Sequence, residues 1–311
     1  MLTVFALPKP FRGHINVIQR NAITGWTRLS PRPEIILFGN EEGTAAIAQE
    51  LGLRHAPDVR CNEYGTPLLD DLFEKAQDLA TCGTLCYVNT DILLLSDFMK
   101  AVEQVASWRD RYLMVGRRTN LDLDQPLDFD SPQCETRLRH LALEKGMLGQ
   151  PNAIDYFVFS SGLYVGLPPF ALGRGYWDDW LLWKARASRV SVVDASGAVL
   201  AIHQNHDYSH QPHHPQGELE ALCGEETKRN FRLVGLNLKR IYTLDDATHK
   251  LAAKGFERNV GHLVSPSKRA LRRWWVVLVQ TTAPLRHRLG IRGPRLARFS
   301  NFLMGIKEIR S

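Results

Sequence analysis

Apolar positions come first in short, nearly unbroken runs. Leu2 to Leu7, Glu34-Ile35-Ile36-Leu37-Phe38 and Thr84-Leu85-Cys86-Tyr87-Val88 each read as a strand buried on both faces, the pattern of a parallel sheet. Between them the spacing turns helical. Ile15, Ile18, Ala22, Trp26 and Leu29 predict an amphipathic helix over His14 to Leu29, ended by Pro31 and Pro33. A second helix is predicted from Thr44 to Leu51, with a short strand over Leu53 to Ala56. Thr66-Pro67 predicts a third helix start, with Thr66 as N-cap, Pro67 at the first helical position, and Asp70 and Asp71 in the first turn. Its apolar face would carry Leu68, Leu69, Leu72, Phe73, Ala76, Leu79 and Ala80.

This alternation predicts an α/β protein whose mostly parallel sheet is covered on both faces. Further along, residues 119–133 read as an acidic loop and Glu135 to Gly146 as a helix. Asp155 to Phe159 reads as a strand. Trp177 to Ala187 is a helix following the turn Gly173-Arg174-Gly175. Val190 to Asp194 and Val199 to His203 read as two strands joined around Ser196-Gly197. No Gly-x-Gly-x-x-Gly follows the first strand and no phosphate-loop motif occurs, which argues against dinucleotide oxidoreductases and P-loop hydrolases.

Four places carry candidate chemistry. Asn89-Thr90-Asp91 closes a predicted buried strand, at the edge where open α/β sheets bind ligands. A carboxylate there can share a hard divalent cation with a diphosphate; the plainer reading is that Asp91 ends a strand and caps a turn. Asp178 and Asp179 open a helix among Tyr176, Trp177 and Trp180. Desolvation raises a carboxylate pKa and makes a better general base, and helix capping is compatible with that role. His203, His206, His210, His213 and His214 fall within twelve positions. His203 follows a strand, and it or His206 would complete a metal site at Asp91, while the others also suit a solvated loop. Finally, Lys9 and Arg12 in the loop after the first strand are placed to meet phosphate and Phe11 to pack on a base, with surface solvation as the alternative.

At 311 residues the chain suits one large α/β domain with appendages, or two domains. Five cysteines, an odd number without a Cys-x-x-Cys pair, argue against a disulfide framework or zinc ribbon and fit a reducing cytoplasm. The N-terminus reads as a strand rather than a signal peptide, and no stretch reaches the ~20 apolar residues of a membrane span. Charge changes the picture more. Residues 265–311 hold eleven Lys or Arg against one acid, while the rest of the chain is slightly acidic. With Trp274, Trp275 and aliphatic neighbours, this tail suits an anionic membrane surface, or a helical pair packed on the body; nucleic acid is the less favoured partner.

Taken together, Pro8-Lys9-Pro10-Phe11, Gly65-Thr66-Pro67, Tyr87-Val88-Asn89-Thr90-Asp91-Ile92, Gly173-Arg174 with Trp177-Asp178, and His203-Gln204-Asn205-His206-Asp207-Tyr208 resemble the GT-A class of nucleotide-sugar-dependent glycosyltransferases. More closely, they resemble a little-characterised bacterial group of glycosyltransferase-like proteins. The resemblance implies a Rossmann-like GT-A nucleotide-diphospho-sugar transferase fold over residues 1–255, with a nucleotide-binding half at 1–115 and an acceptor half at 116–255. A basic helical extension follows at 256–311. It implies a nucleotide-sugar donor and Mn²⁺ or Mg²⁺ held by Asp91 with His203 or His206. Pro8, Lys9, Phe11, Asn40, Asn89 and Thr90 would lie on the nucleotide side, Asn89 facing the ribose or the metal's water shell. Asp178 would be the base, with Asp179 as the alternative. Asn89 departs from the usual Asp-x-Asp and removes a negative charge. The expected acceptor is a glycan or a lipid-linked molecule, and the expected location is cytoplasmic, at the inner membrane face. A non-catalytic scaffold keeping the fold is the rival that Asn89 favours. A nucleotidyltransferase is disfavoured by the lack of a Gly-rich, Lys/Arg-bearing loop after the first strand.

Overall fold

Strand β1 (Leu2–Ala6) is buried along its whole length, because strands flank it and helices cover both its faces. It pairs in parallel with β2 (Glu34–Phe38) on one side and β4 (Thr84–Val88) on the other, and β3 (Arg54–Ala56) adds in parallel beyond β2. The chain therefore steps outward twice and then returns across β1. The crossovers diverge between β1 and β4, and a crevice opens there at the carboxyl ends of the strands. Past β4 the sheet is mixed. β8 (Ile154–Ser160) runs antiparallel between β4 and β6 (Tyr112–Leu121). β9 (Ser191–Gly197) and β11 (His249–Ala252) continue in parallel, and β12 (Gly255–Arg258) closes the edge antiparallel. The order is β12-β11-β9-β6-β8-β4-β1-β2-β3, with most neighbours parallel, so the fold is a mixed α/β, Rossmann-like one. This computed structural model describes residues 1–206, 224–235, 240–252, 254–260 and 270.

Period-two alternation divides the core. Leu85 and Tyr87 join Phe5, Phe157 and Phe159 on one face, under α3 (Leu69–Leu79) and α6 (Trp177–Ala187). Cys86 and Val88 join Val4, Ala6 and Val158 on the other, under α1 (Gly13–Thr27) and α4 (Ser96–Trp108). Each large apolar side chain buried this way contributes roughly 1.5–3 kcal/mol. A smaller layer lies beyond Asp91. β5 (Ile92–Leu94) pairs antiparallel with β10 (Ala201–Gln204), which also pairs in parallel with the far end of β6. The Trp26 indole N–H donates to the Ile92 carbonyl at 2.9 Å and ties α1 to this layer. β6 bulges at Gly116, where a Cβ would lie 2.2 Å from the Tyr156 hydroxyl oxygen, so only glycine fits.

Several expected boundaries move. The third helix starts at Leu69, and Thr66 does not cap it. Leu68 is extended and bridges Ala171, and its N–H donates to the Arg60 carbonyl at 2.9 Å, so the chain stays strand-like one residue longer. The loop expected from 119 begins after Leu121, because β10 and β7 (Met147–Leu148) both pair with the end of β6. β9 runs through Ser196-Gly197, and the turn follows at Ala198, whose N–H donates to the Ala195 carbonyl. The segment 92–118, where the apolar pattern named no element, holds β5, α4 and most of β6. β6 also spans the boundary placed at 115/116. His210, His213, His214 and, apart from residue 270, the basic tail at 265–311 lie outside the described residues. Among the described residues no helix is long and apolar enough to cross a membrane.

Candidate active site

The crevice between β1 and β4 is organised by a buried amide. Gln19, on α1, is fully buried. Its Oε1 accepts from the Lys9 N–H at 2.7 Å and from the Thr90 hydroxyl at 2.8 Å, while its Nε2 donates to the Lys9 carbonyl at 2.8 Å. Satisfied at both ends, it holds the loop after β1 against the triplet after β4. Pro8 is buried in that loop. The Phe11 N–H donates to the Glu42 carbonyl at 2.8 Å, and its side chain lies on Gly43. Gly43 has φ +90°, and a Cβ there would come within 2.7 Å of Phe11 Cβ, so the position demands glycine twice over. Asn40 is exposed just past the end of β2.

Asp91 sits at the far end of the triplet, 9% exposed. Its Oδ2 lies 3.1 Å from His206 Nε2 and 3.8 Å from His203 Nε2. The donor atoms of the three residues all lie within 4.8 Å of one another. Asp91 Oδ1 and His203 Nδ1 are both buried without a hydrogen-bond partner. Burial works to raise the Asp91 pKa. The hydrogen bond from His206 and the charges of His203, Lys9 and His206 outweigh it and hold the carboxyl well below its ordinary range. Burial pushes His203 down, against the pull of Asp91, which favours the neutral imidazole that a metal needs.

Asn89 is occupied differently. Its Oδ1 accepts from the Tyr87 hydroxyl at 3.0 Å and its Nδ2 donates to Asp155 Oδ1 at 2.7 Å. Asp155, buried at the start of β8, also pairs with Arg118 at 3.0 Å. Its charge acts on His203, Tyr87 and Asp178 alike, so the acid pair of α6 belongs to the same neighbourhood. The Tyr87 ring also meets Trp177 edge-on at 5.6 Å.

Asp178 and Asp179 occupy the first turn of α6. Neither is the cap, a position taken by Tyr176 with φ +68° and without a side-chain capping hydrogen bond. Burial first, then the neighbouring Asp179 charge, pushes the Asp178 carboxyl up to about 8, against the pull of the Asp179 N–H. Asp178 is partly open to the surface, while Asp179 is buried. Nearby, Arg174 joins two of the quoted motifs. Its Nε donates to Glu226 of α7 (Glu225–Val234) at 2.7 Å, and a second nitrogen reaches the Thr66 hydroxyl at 3.4 Å.

The structure thus brings Asp91, His203, His206, Lys9 and Thr90 to one crevice, joins Asn89 and Asp178 to it through Asp155, and leaves Asn40 at the rim. Sequence reasoning missed Gln19, Arg118 and Asp155 as site residues. The signals were a polar residue within the apolar face of α1 and an acid starting an otherwise apolar strand.

No family model matches this chain, and no curated protein matches it. Solved structures do. Glucosyl-3-phosphoglycerate synthase from Mycobacterium tuberculosis, crystallised with Mg²⁺ and UDP, matches over 75% of this chain and 78% of its own, at 14% identity and TM-score 0.43. A complex of that synthase with Mn²⁺, UDP-glucose and phosphoglyceric acid matches over the same shares at 14% identity and TM-score 0.45. S. aureus TarS 1–349, in complex with UDP-GlcNAc, matches over 79% of this chain and 70% of its own, at 11% identity and TM-score 0.46. At these scores the likeness says nothing of this chain's chemistry, which rests on its own residues.

Proposed function

We propose that this protein is a metal-dependent glycosyltransferase of GT-A type, moving a sugar from a nucleotide-diphosphate donor to an acceptor hydroxyl. One observation carries the reading: a carboxylate with an unpartnered buried oxygen converges with two imidazoles at the crossover crevice. One oxygen and two nitrogen donors suit Mn²⁺ better than Mg²⁺, which favours oxygen ligands. The cation supplies Lewis-acid stabilisation of the leaving diphosphate. Lys9 adds charge on the phosphate side. Pro8, Phe11, Asn40 and Thr90 form the nucleotide side, and Asn89 shapes it from behind through Asp155. Asp178 takes the acceptor proton as the acceptor oxygen bonds the anomeric carbon and the bond to the diphosphate breaks. Asp179 sets the basicity of Asp178. Residues 1–115, joined by His203 and His206, then serve the donor, and the rest of 116–255 serves the acceptor.

The acceptor is a glycan or a lipid-linked molecule at an anionic cytoplasmic membrane face, a choice supported by the basic tail. Vesicle co-sedimentation of the full chain, with Lys268, Arg269, Arg272 and Arg273 changed to Gln, tests that part: unaltered binding defeats it.

A thermal-shift screen of UDP-, GDP-, ADP-, CMP- and dTDP-sugars, each with Mn²⁺ and with EDTA, tests the core reading. A ligand of the native state raises the melting temperature by mass action. A metal-dependent rise with one nucleotide is expected. Absence of any rise favours the second reading, a non-catalytic scaffold, which draws support from the engagement of both ends of the Asn89 amide.

A further inference from the structure

We propose that Gln204 is a positioning residue that fixes His203 and His206 around Asp91 and thereby sets how tightly the trio holds a divalent cation. The inference rests on the metal reading above. Gln204 lies between the two histidines in the chain and is fully buried. Its backbone N–H donates to the Asp91 carbonyl at 3.1 Å. Its side-chain Nε2 donates to that same carbonyl at 3.3 Å and to the Ile18 carbonyl at 2.8 Å. Its Oε1 accepts from Asn21 Nδ2 at 3.0 Å. One residue therefore joins the main chain of the carboxylate ligand to the segment bearing both imidazoles, and anchors both on α1.

The anchor matters more for one histidine than for the other. His203 is held in β10 by pairing with Ile92 and Asn120. His206 lies two residues past the strand end, and its place is set through Gln204 and Asn205. The Asn205 N–H donates to the Leu121 carbonyl at 2.9 Å, and its carbonyl meets His14 Nε2 at 3.1 Å. A carboxamide at 204 donates to two carbonyls and accepts once without setting a charge beside Asp91. An aliphatic side chain does none of this, and a carboxylate would repel both carbonyls. Loss of the polar groups that orient metal ligands typically weakens metal affinity about 10–100-fold.

The test uses the full chain and Mn²⁺ alone, titrated by calorimetry and by loss of the free-ion EPR signal. Gln204→Met keeps the side chain's length and removes its hydrogen bonds. A folded Gln204→Met protein with Mn²⁺ affinity about 10–100-fold below the parent supports the role. Parent-like affinity overturns it, even with a lowered melting temperature, because a merely structural residue would move stability and leave the metal alone. Should Gln204→Met fail to fold, Asn21→Ala decides: Gln204 stays and loses its donor partner. Weaker Mn²⁺ binding then supports the role, and unchanged binding overturns it. A parent chain that takes up no Mn²⁺ overturns the metal reading itself and this inference with it, an outcome distinct from parent and variant binding equally.

Discussion

Asp91 and Asp178 are both acids pressed into the protein at the same end of the sheet, and their surroundings drive them apart. Asp91 has two imidazoles and Lys9 for company and is held ionised. Asp178 has a second acid beside it and keeps its proton up to about 8. Burial opposes charge in both places, so the neighbours decide the outcome. An acid held ionised is fit to receive a cation. An acid that titrates near neutral pH is fit to take and return a proton, and positive charge arriving at the Asp91 trio would make it a readier base.

The comparison breaks first at Asp178. In Asp178→Asn, transfer falls by about 10²–10⁴-fold, the usual range for a positioned base, while nucleotide affinity stays within about twofold. Turnover assays beside calorimetric titration check it; parent-like turnover removes Asp178 from the chemistry. Next comes Asp91→Ala, which loses the only carboxylate of the trio. Mn²⁺ affinity falls by about 100-fold or more, against a smaller loss in His203→Ala, both read by titration.

Asn89→Asp sharpens the contrast. It looks like a repair of the metal motif, yet it sets a carboxylate where an amide now donates to Asp155 at 2.7 Å. The variant loses roughly 1–3 kcal/mol of stability in a denaturant melt. Unchanged stability with tighter Mn²⁺ binding would show that Asp155 has room for a second acid.

The smallest effect is a pH slope. The folded Asp178 carboxyl keeps its proton to about 8, whereas the unfolded one loses it near pH 4, so folding takes up a proton in between. The stability this contributes is complete below the lower limit and is lost as pH rises to the upper one. Melting with EDTA from pH 5 to 9 should show the decline, and Asp178→Asn should flatten it, melting roughly 3–5 °C above the parent at the alkaline end. Parallel curves would mean that Asp178 ionises freely in the folded protein.

The sheet was legible where one strand's own residues decide its burial. Leu2 to Leu7 and Thr84 to Val88 need no distant partner to read as buried strands. The apolar spacing of Phe98, Val102 and Val105 shows that α4 was readable too, once looked for. The start of α3 was not, because Leu68 extends to meet Ala171, a partner more than a hundred residues away. The site divides likewise. Asp91 and the histidines announce themselves by residue type. Gln19 and Asp155 act through bonds to residues 71 and 66 positions distant, so their local signals, a polar residue on an apolar face and an acid opening an apolar strand, do not name their partners.

β8 runs against both of its neighbours, so it presents its first residues, not its last, to the ligand edge. The two turns that bracket it therefore face opposite worlds. Chain lengthened ahead of Ile154 would rebuild the rim of the crevice and change what the protein accepts. The turn at Ser161-Gly162, exposed at the other end of the strand, is the natural seat for an inserted tag or fluorescent reporter, far from the chemistry it would watch.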